Sequence, residues 1–196
     1  MECYDKLPKT NYDLIKQNPA YNQIAGKFPI EKASSYLYYN KNGVSQKLIT
    51  AIKYKDNIAA GKWISTMMAK DMKQSGFFND CDIICPVPLH WKKKKLRGFN
   101  QAEVIARSLS EIVNIPLNTN TLCRVKFNLS QTKKGAYERW KNTFGLFTVQ
   151  DLTHLENKHI LLVDDVLTTG ATIEACAHAL LKCKNIRISV LTLAIA

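Results

Sequence analysis

Two adjacent carboxylates, Asp164 and Asp165, close the apolar run Ile160, Leu161, Leu162 and Val163. The residues that follow are Val166, Leu167, Thr168, Thr169, Gly170, Ala171 and Thr172. A loop leaving a strand at the carboxyl edge of an α/β sheet is where such folds bind ligands. If a helix opens there, its first N–H groups lack intrahelical partners and carry partial positive charge, which suits a phosphate. Threonine hydroxyls add donors, and Gly170 admits backbone angles that a side chain forbids. The two acids beside this anion site want donors, and a sugar diol offers two. Together these features describe a cradle for a ribose 5-phosphate. Two plainer readings stand beside it: Asp164 caps the turn and the threonines cap the helix, or the acid pair coordinates magnesium. The glycine spacing is neither that of a Walker loop nor that of a dinucleotide fingerprint.

A second concentration of chemistry is cationic. Trp91, Lys92, Lys93, Lys94, Lys95, Leu96 and Arg97 place five cations in seven positions. More follow at Lys126, Lys133, Lys134, Arg139 and Lys141, among Phe127, Tyr137 and Trp140. Lysines next to Pro86, Val87, Pro88, Leu89 and His90 could neutralise a pyrophosphate. Cations interleaved with aromatics could instead track a single-stranded nucleic acid, with rings stacking on bases. A self-repelling, solvated loop is the third reading. His90 adjoins this loop and is a candidate phosphate contact or acid, whereas His154, His159 and His178 show no metal-ligand spacing.

The elements that must position these groups are legible in outline. Residues 158–165 read as a strand that breaks at 166–172 into a helix running to about Cys183, and 186–194 read as a final strand. Residues 81–87 form an apolar run closed by Pro86 and Pro88, the mark of a buried strand entering a loop. Val104, Ile105, Leu109, Ile112 and Val113 make the apolar face of a helix over 100–113. Upstream, 34–40 read as a strand, 44–54 as a helix with Val44, Leu48, Ala51 and Ile52 at helical spacing, and 58–73 as a second helix ended by Gly76. Pro8, Pro19 and Pro29 break any long element in 1–31. Residues 115–122 suggest a short strand, and 124–143, polar with little periodicity, a long mobile loop. The alternation of strands and helices predicts a parallel α/β sheet. The expected division is a small N-terminal lobe over 1–76 and the α/β domain over 77–196.

Composition sets the outer bounds. The chain has 196 residues, with 28 Lys and Arg against 16 Asp and Glu, so the formal net charge is +12. Apolar stretches such as 188–196 fall short of the ~20 residues that span a bilayer. Residues 1–10 carry Glu2 and Asp5 and lack the apolar core of a leader. A soluble, cytoplasmic protein is therefore expected. Cys3, Cys81, Cys85, Cys123, Cys176 and Cys183 have no paired zinc spacing and read as buried thiols acting as small hydrophobes.

With these residues in view, 160–172 resembles the phosphoribosyl pyrophosphate (PRPP) motif of type I phosphoribosyltransferases: hydrophobics, two acids and T-G-x-T. The segment 85–106, CPVPLHWKKKKLRGFNQAEVIA, resembles the ComF (also called GntX) branch, whose members carry P-V-P-L-H, a basic stretch and R-G-F-N-Q. Arg124 and the run QTKKGAYERWKNTFGLF over 131–147 are similar to that branch too. The resemblance implies an α/β fold of the type I phosphoribosyltransferase kind, a parallel sheet flanked by helices, that binds PRPP with magnesium. It implies that Asp164 and Asp165 hold the ribose 2′ and 3′ hydroxyls and meet Mg2+ indirectly, and that 168–172 wrap the 5′-phosphate. Pro86, Val87, Pro88, Leu89 and His90 become the pyrophosphate-side loop, joined by Arg97, Arg124 or Lys94, and 124–142 a flexible loop closing over substrate. Lys92, Lys93, Lys94, Lys95, Arg97, Asn100 and Gln101 become contacts for phosphate or nucleic acid. The branch is associated with DNA uptake in natural transformation. A non-catalytic factor that binds single-stranded DNA, or senses PRPP beside a helicase or pore partner, is therefore the alternative to a transferase. Two departures matter. Many members begin with a four-cysteine zinc knuckle, of which only Cys3 in C-Y-D-K-L-P matches, so zinc is not expected. Purine-specific members often carry an acid where this chain has Thr168, and threonine is no general base at neutral pH, which disfavours purine salvage and leaves the acceptor unknown.

Overall fold

The computed structural model describes residues 6–54, 57–125 and 145–196. Cys3 and most of the expected 124–143 loop lie outside the described residues. In chain order the elements are α1 (Pro19–Ile24), β1 (Ala33–Tyr38), α2 (Val44–Tyr54), α3 (Ile58–Gln74), β2 (Ile83–Pro86), α4 (Trp91–Arg97) and α5 (Gln101–Val113). Then come β3 (Leu122–Arg124), β4 (Phe147–Val149), β5 (His159–Leu167), α6 (Ala171–Leu180) and β6 (Arg187–Ile195).

The principal sheet has the order β1-β6-β5-β2, and every pair in it is parallel. The expected parallel α/β sheet flanked by helices is what the chain forms. Central strands of such a sheet are covered on both faces and so read as near-continuous apolar runs, as β5 does from Ile160 to Val163 and β6 over most of its length. Alternation along β5 sends Ile160 and Leu162 into one core, with Ile173, Cys176, Ala177 and Leu180 of α6. Leu161 and Val163 enter the other, with Ile64 and Met68 of α3 and Ile105 and Leu109 of α5. Complete burial of each such side chain contributes about 1.5–3 kcal/mol. The strand expected within the N-terminal lobe, β1, is the edge strand of this same sheet, paired with β6 from Ala33↔Val190 to Tyr38↔Ile195. Both cores draw residues from before and after position 76.

Local sequence explains the ends of elements. Pro19 opens α1, where Asn18 Oδ1 caps the N–H of Tyr21, and the helix it begins is only six residues long. Asn100 caps α5 and Asn114 closes it in the left-handed region. The helix α5 follows β2 and packs on one face of the sheet, whereas α6 follows the neighbouring strand β5 and packs on the other. Loops leaving adjacent strands for opposite faces open a crevice at the carboxyl edge, the usual ligand position in this architecture. No described helix is long and apolar enough to cross a membrane.

Candidate functional site

The crevice between β2 and β5 holds the turn 168–170. β5 runs on through Leu167, two residues past the expected break, because Val166 and Leu167 keep the ladder to Ala194 and Ile195 of β6. Thr168 and Thr169 are exposed, Gly170 is buried, and α6 begins at Ala171. Gly170 has φ +77, and a Cβ there would lie 2.6 Å from Ile24 Cγ2 of α1. Both the backbone angle and the close approach of α1 thus require glycine. Lys27, just past α1, donates through Nζ to the Thr169 carbonyl, which fixes the far side of the turn. Asp164 and residues 166–173 enclose a small cavity of about 30 Å³. Exposed Thr168, Thr169 and Thr172 and the first turn of a ten-residue helix lie beside an acid, a set of donors and an acceptor that could meet an anion and a hydroxyl.

The strand's extra length has a consequence for the acid pair. Side chains alternate along a strand, so Asp164 and Asp165 leave β5 on opposite faces. Asp164 belongs with the turn, and its Oδ1 accepts the N–H of Asp165 at 2.8 Å. Burial and the neighbouring Asp165 charge push the Asp164 carboxyl up to about 7, against the opposing pull of Lys53 and Arg124. Asp165 instead meets Lys53 at the end of α2, Nζ to Oδ2 2.9 Å, with 23% and 18% of the two side chains exposed. Ile49, Ile52, Ile105 and Leu193 line the apolar side of this pair. The two carboxylates expected to share one diol are therefore separated by the sheet. Lys53 was not among the expected site residues.

Across the crevice, the lysine stretch expected as a loop is the helix α4. His90 caps it, Nδ1 accepting the Lys92 N–H at 3.2 Å, and Gly98 closes it at φ +77. His90 is buried, and burial together with Arg124, Lys92 and Lys93 holds its imidazole below the usual range. It is thus a neutral cap and not a ready acid. The lysines diverge: Lys94 pairs with Glu103 at 3.2 Å, while Lys93 turns inward. Burial, with the charges of Arg124, Arg97 and Lys53 in support, depresses Lys93. The Arg124 guanidinium stacks 5.4 Å from the centre of the Phe147 ring, and its buried Nε has no hydrogen-bond partner among the described residues. Desolvation lowers the Arg124 pKa, partly offset by Cys176 and Asp164. Arg124 lies on β3, paired with β4, and β3 and β4 flank residues 126–144, which lie outside the described residues.

Of the expected contacts, Pro86 and Val87 are buried and Pro88 and Leu89 half-buried, so this loop supplies shape and backbone. Asn100 and Gln101 are buried: Asn100 Nδ2 ties the Val87 carbonyl at 3.0 Å, and Gln101 Oε1 accepts from Arg97 Nη1 at 3.2 Å. They position the loop and do not present themselves to a polymer. Cys81, Cys85, Cys176 and Cys183 are buried free thiols, and burial raises each of them.

Residues 97–194 match the phosphoribosyl transferase domain family. Competence protein F of Haemophilus influenzae is 29% identical over 139 residues, which cover 69% of this chain and 61% of that protein. The DNA utilization protein YhgH of Salmonella typhi is 31% identical over 101 residues, 52% of this chain and 44% of that one. Competence protein ComFC of Bacillus subtilis is 35% identical over 100 residues, 51% and 38% of the respective chains. The matched part is thus less than two thirds of each of these relatives. Among solved structures, a purine phosphoribosyltransferase from Pyrococcus horikoshii aligns at 20% identity and TM-score 0.43, covering 69% of this chain and 73% of that one. Adenine phosphoribosyltransferase from Leishmania tarentolae aligns at 11% identity and TM-score 0.45, covering 81% and 90%.

Proposed function

The chain belongs to the phosphoribosyl transferase domain family, and from that membership we propose that it binds PRPP in the crevice between β2 and β5. The turn 168–172 takes the 5′-phosphate, Asp164 the ribose hydroxyls, and Lys93, Arg97 and Arg124 the pyrophosphate. The observation that carries this reading is a cavity lined by Asp164 and the turn at the carboxyl end of β5, with Lys93 and Arg97 on α4, the helix that follows the neighbouring strand β2. PRPP has matching parts in that order: a phosphate, a diol and a pyrophosphate.

Phosphoribosyl transfer follows from the same placement. The C1–O bond to pyrophosphate breaks with both electrons leaving on the pyrophosphate oxygen, and an acceptor nucleophile forms its bond to C1. The sugar passes through an oxocarbenium-like state, so the protein's work is positioning and stabilisation of departing negative charge. Arg97, Arg124 and Lys93 do that, and Arg124 is well suited because its guanidinium is already largely desolvated. Asp164 holds the ring while C1 moves. No described group of three acids, histidines or cysteines could hold a metal by itself. A magnesium ion would arrive with the ligand's phosphates, and Asp164 is the residue that would help hold it. Bound there, the ion would neutralise pyrophosphate charge. The acceptor is unassigned.

Calorimetry with PRPP and Mg2+ tests the reading. Binding in the wild type that falls at least ~100-fold in Asp164→Asn supports it, since a buried charged contact is lost. Equal heats from the two proteins would end it. A pyrophosphate-release assay across nucleobases, ammonia and glutamine then separates transferase from sensor.

The relatives are named for competence and DNA utilization, and we infer the same setting, DNA uptake, for this chain. One observation favours a nucleic-acid contact in addition: α4 exposes 62% of Trp91 beside Lys92, whose Nζ sits 5.5 Å from the ring centre. An exposed ring among cations is what a single strand stacks on. Binding of single-stranded DNA that weakens with salt and with alanine at Lys92, Lys93, Lys94 and Lys95 is the expected result. Undetectable binding at low ionic strength would remove this role.

A further inference from the structure

We propose that Lys27, in the segment between α1 and β1, is a positioning residue for the turn after β5: its ammonium holds the 169–170 peptide so that the Gly170 N–H is presented to a phosphate monoester. This rests on the reading above, in which that turn takes the 5′-phosphate, and adds a residue to it.

Three observations carry this role. First, the lysine starts from a fixed base. Buried Asn18 caps α1 and donates through Nδ2 to the carbonyls of Tyr12, Ile15 and Ala33, which ties that helix to the start of β1. Gly26, at φ +81, turns the chain out of α1, and the Lys27 N–H bonds the Ile24 carbonyl at 3.2 Å. Second, the peptide is held in one orientation. Lys27 Nζ donates to the Thr169 carbonyl and lies 3.3 Å from where a Gly170 Cβ would stand. The 169–170 peptide is trans, so its carbonyl and its N–H point in opposite directions. A carbonyl drawn toward Lys27 therefore turns the Gly170 N–H away from α1. That N–H makes no hydrogen bond among the described residues. The small cavity along the turn is lined by Asp164 and residues 166–173, with nothing from α1. Third, the charge is unbalanced. No described acid pairs with Lys27, whose ammonium sits beside the first turn of α6, already the positive end of that helix. An arriving dianion offsets both. An ammonium bonded to a carbonyl also polarises its peptide, which makes the N–H of that peptide a stronger donor.

Calorimetry on the full chain, with ribose 5-phosphate and separately with inorganic pyrophosphate, each with Mg2+, tests the role. Lys27→Met should weaken ribose 5-phosphate about tenfold, the size of one hydrogen bond to a charged group, and leave pyrophosphate within about twofold. Lys27→Arg still donates to the carbonyl and should return ribose 5-phosphate to within about threefold of the wild type. Nuclear magnetic resonance gives the readout that a merely structural lysine would not move. Ribose 5-phosphate should shift the Gly170 amide proton downfield in the wild type and in Lys27→Arg, and by less than about half as much in Lys27→Met. Lys27→Gln carries the same comparisons if the methionine variant does not fold. Unchanged affinity in Lys27→Met, or equal losses of the two ligands, would overturn the proposal. So would a loss of affinity with the Gly170 shift intact, which would make Lys27 a direct contact. If the wild type does not bind ribose 5-phosphate, the phosphate reading of the turn itself falls; if it binds and the Lys27 variants bind equally, only the role of Lys27 falls.

Discussion

The loops that leave β2 and β5 lie side by side at one edge of the sheet, yet they are built on different principles. After β5, the donors on offer are backbone and hydroxyl: a left-handed Gly170, exposed Thr168, Thr169 and Thr172, and the first turn of α6. After β2, they are side-chain cations: Lys93 and Arg97 on a seven-residue helix on which Lys94 pairs with Glu103. Amide dipoles held by a packed turn are specific and fixed, whereas ammonium groups on long stems are adaptable and screened by salt. On the proposed function, the first loop takes a single small group and the second a polyanion.

The two glycines make the sharpest comparison, because Gly170 and Gly98 share φ +77. Gly170→Ala meets Ile24 Cγ2 at 2.6 Å as well as the strained angle, so about 2–5 kcal/mol of stability should be lost. At Gly98 nothing lies within 4 Å, so alanine should lose only the backbone contribution of about 1–2 kcal/mol. Urea unfolding of both variants decides it; equal losses would mean that α1 yields and the turn is not firmly backed.

Next in size is the pH response of Asp164. Its carboxyl is raised to about 7 in the folded chain, against about 3.9 when unfolded. The associated stability is therefore complete below about pH 4 and lost as the pH rises through 7. Asp164→Asn should be the more stable protein at pH 8, by on the order of 2 kcal/mol, with the gap closing toward pH 5. Melting temperatures of the two proteins across that range would expose a flat difference, which would contradict the assigned burial.

Salt should then distinguish the two loops. Between about 0.05 M and 0.5 M salt, pyrophosphate affinity should fall about tenfold and ribose 5-phosphate affinity about threefold. Parallel slopes would dissolve the distinction. The smallest effect belongs to His90→Ala, which removes the cap of α4 and should lose about 1 kcal/mol while sparing ribose 5-phosphate.

How much of this could be read beforehand followed the range of the forces involved. The β5 run, its acids and its threonine turn are contiguous, and contiguity made the strand, the turn after it and the helix that follows legible. The length of β5 was not, because two acids look like the end of a strand; ladder bonds from β6 keep Val166 in register with Ala194. The helix α4 was hidden by mutually repelling lysines, although His90 and Gly98 stand at the two capping positions. Lys53 was missed since its partner lies more than a hundred positions away in the chain. A signal did exist: Lys53 follows Ile49 by one helical turn and adjoins Ile52, placing a cation on the border of an apolar face.

The short helix α1 touches the turn through Ile24, and Lys27 grips its carbonyl. The family match starts at residue 97, but the backing of the 168–170 turn and the lysine on Asp165 are both contributed before that point. A shortened chain trimmed to the matched region would keep the recognisable signature and forfeit its underlay, so the residues that mark the family and those that hold its turn in place are encoded in different stretches of the polypeptide.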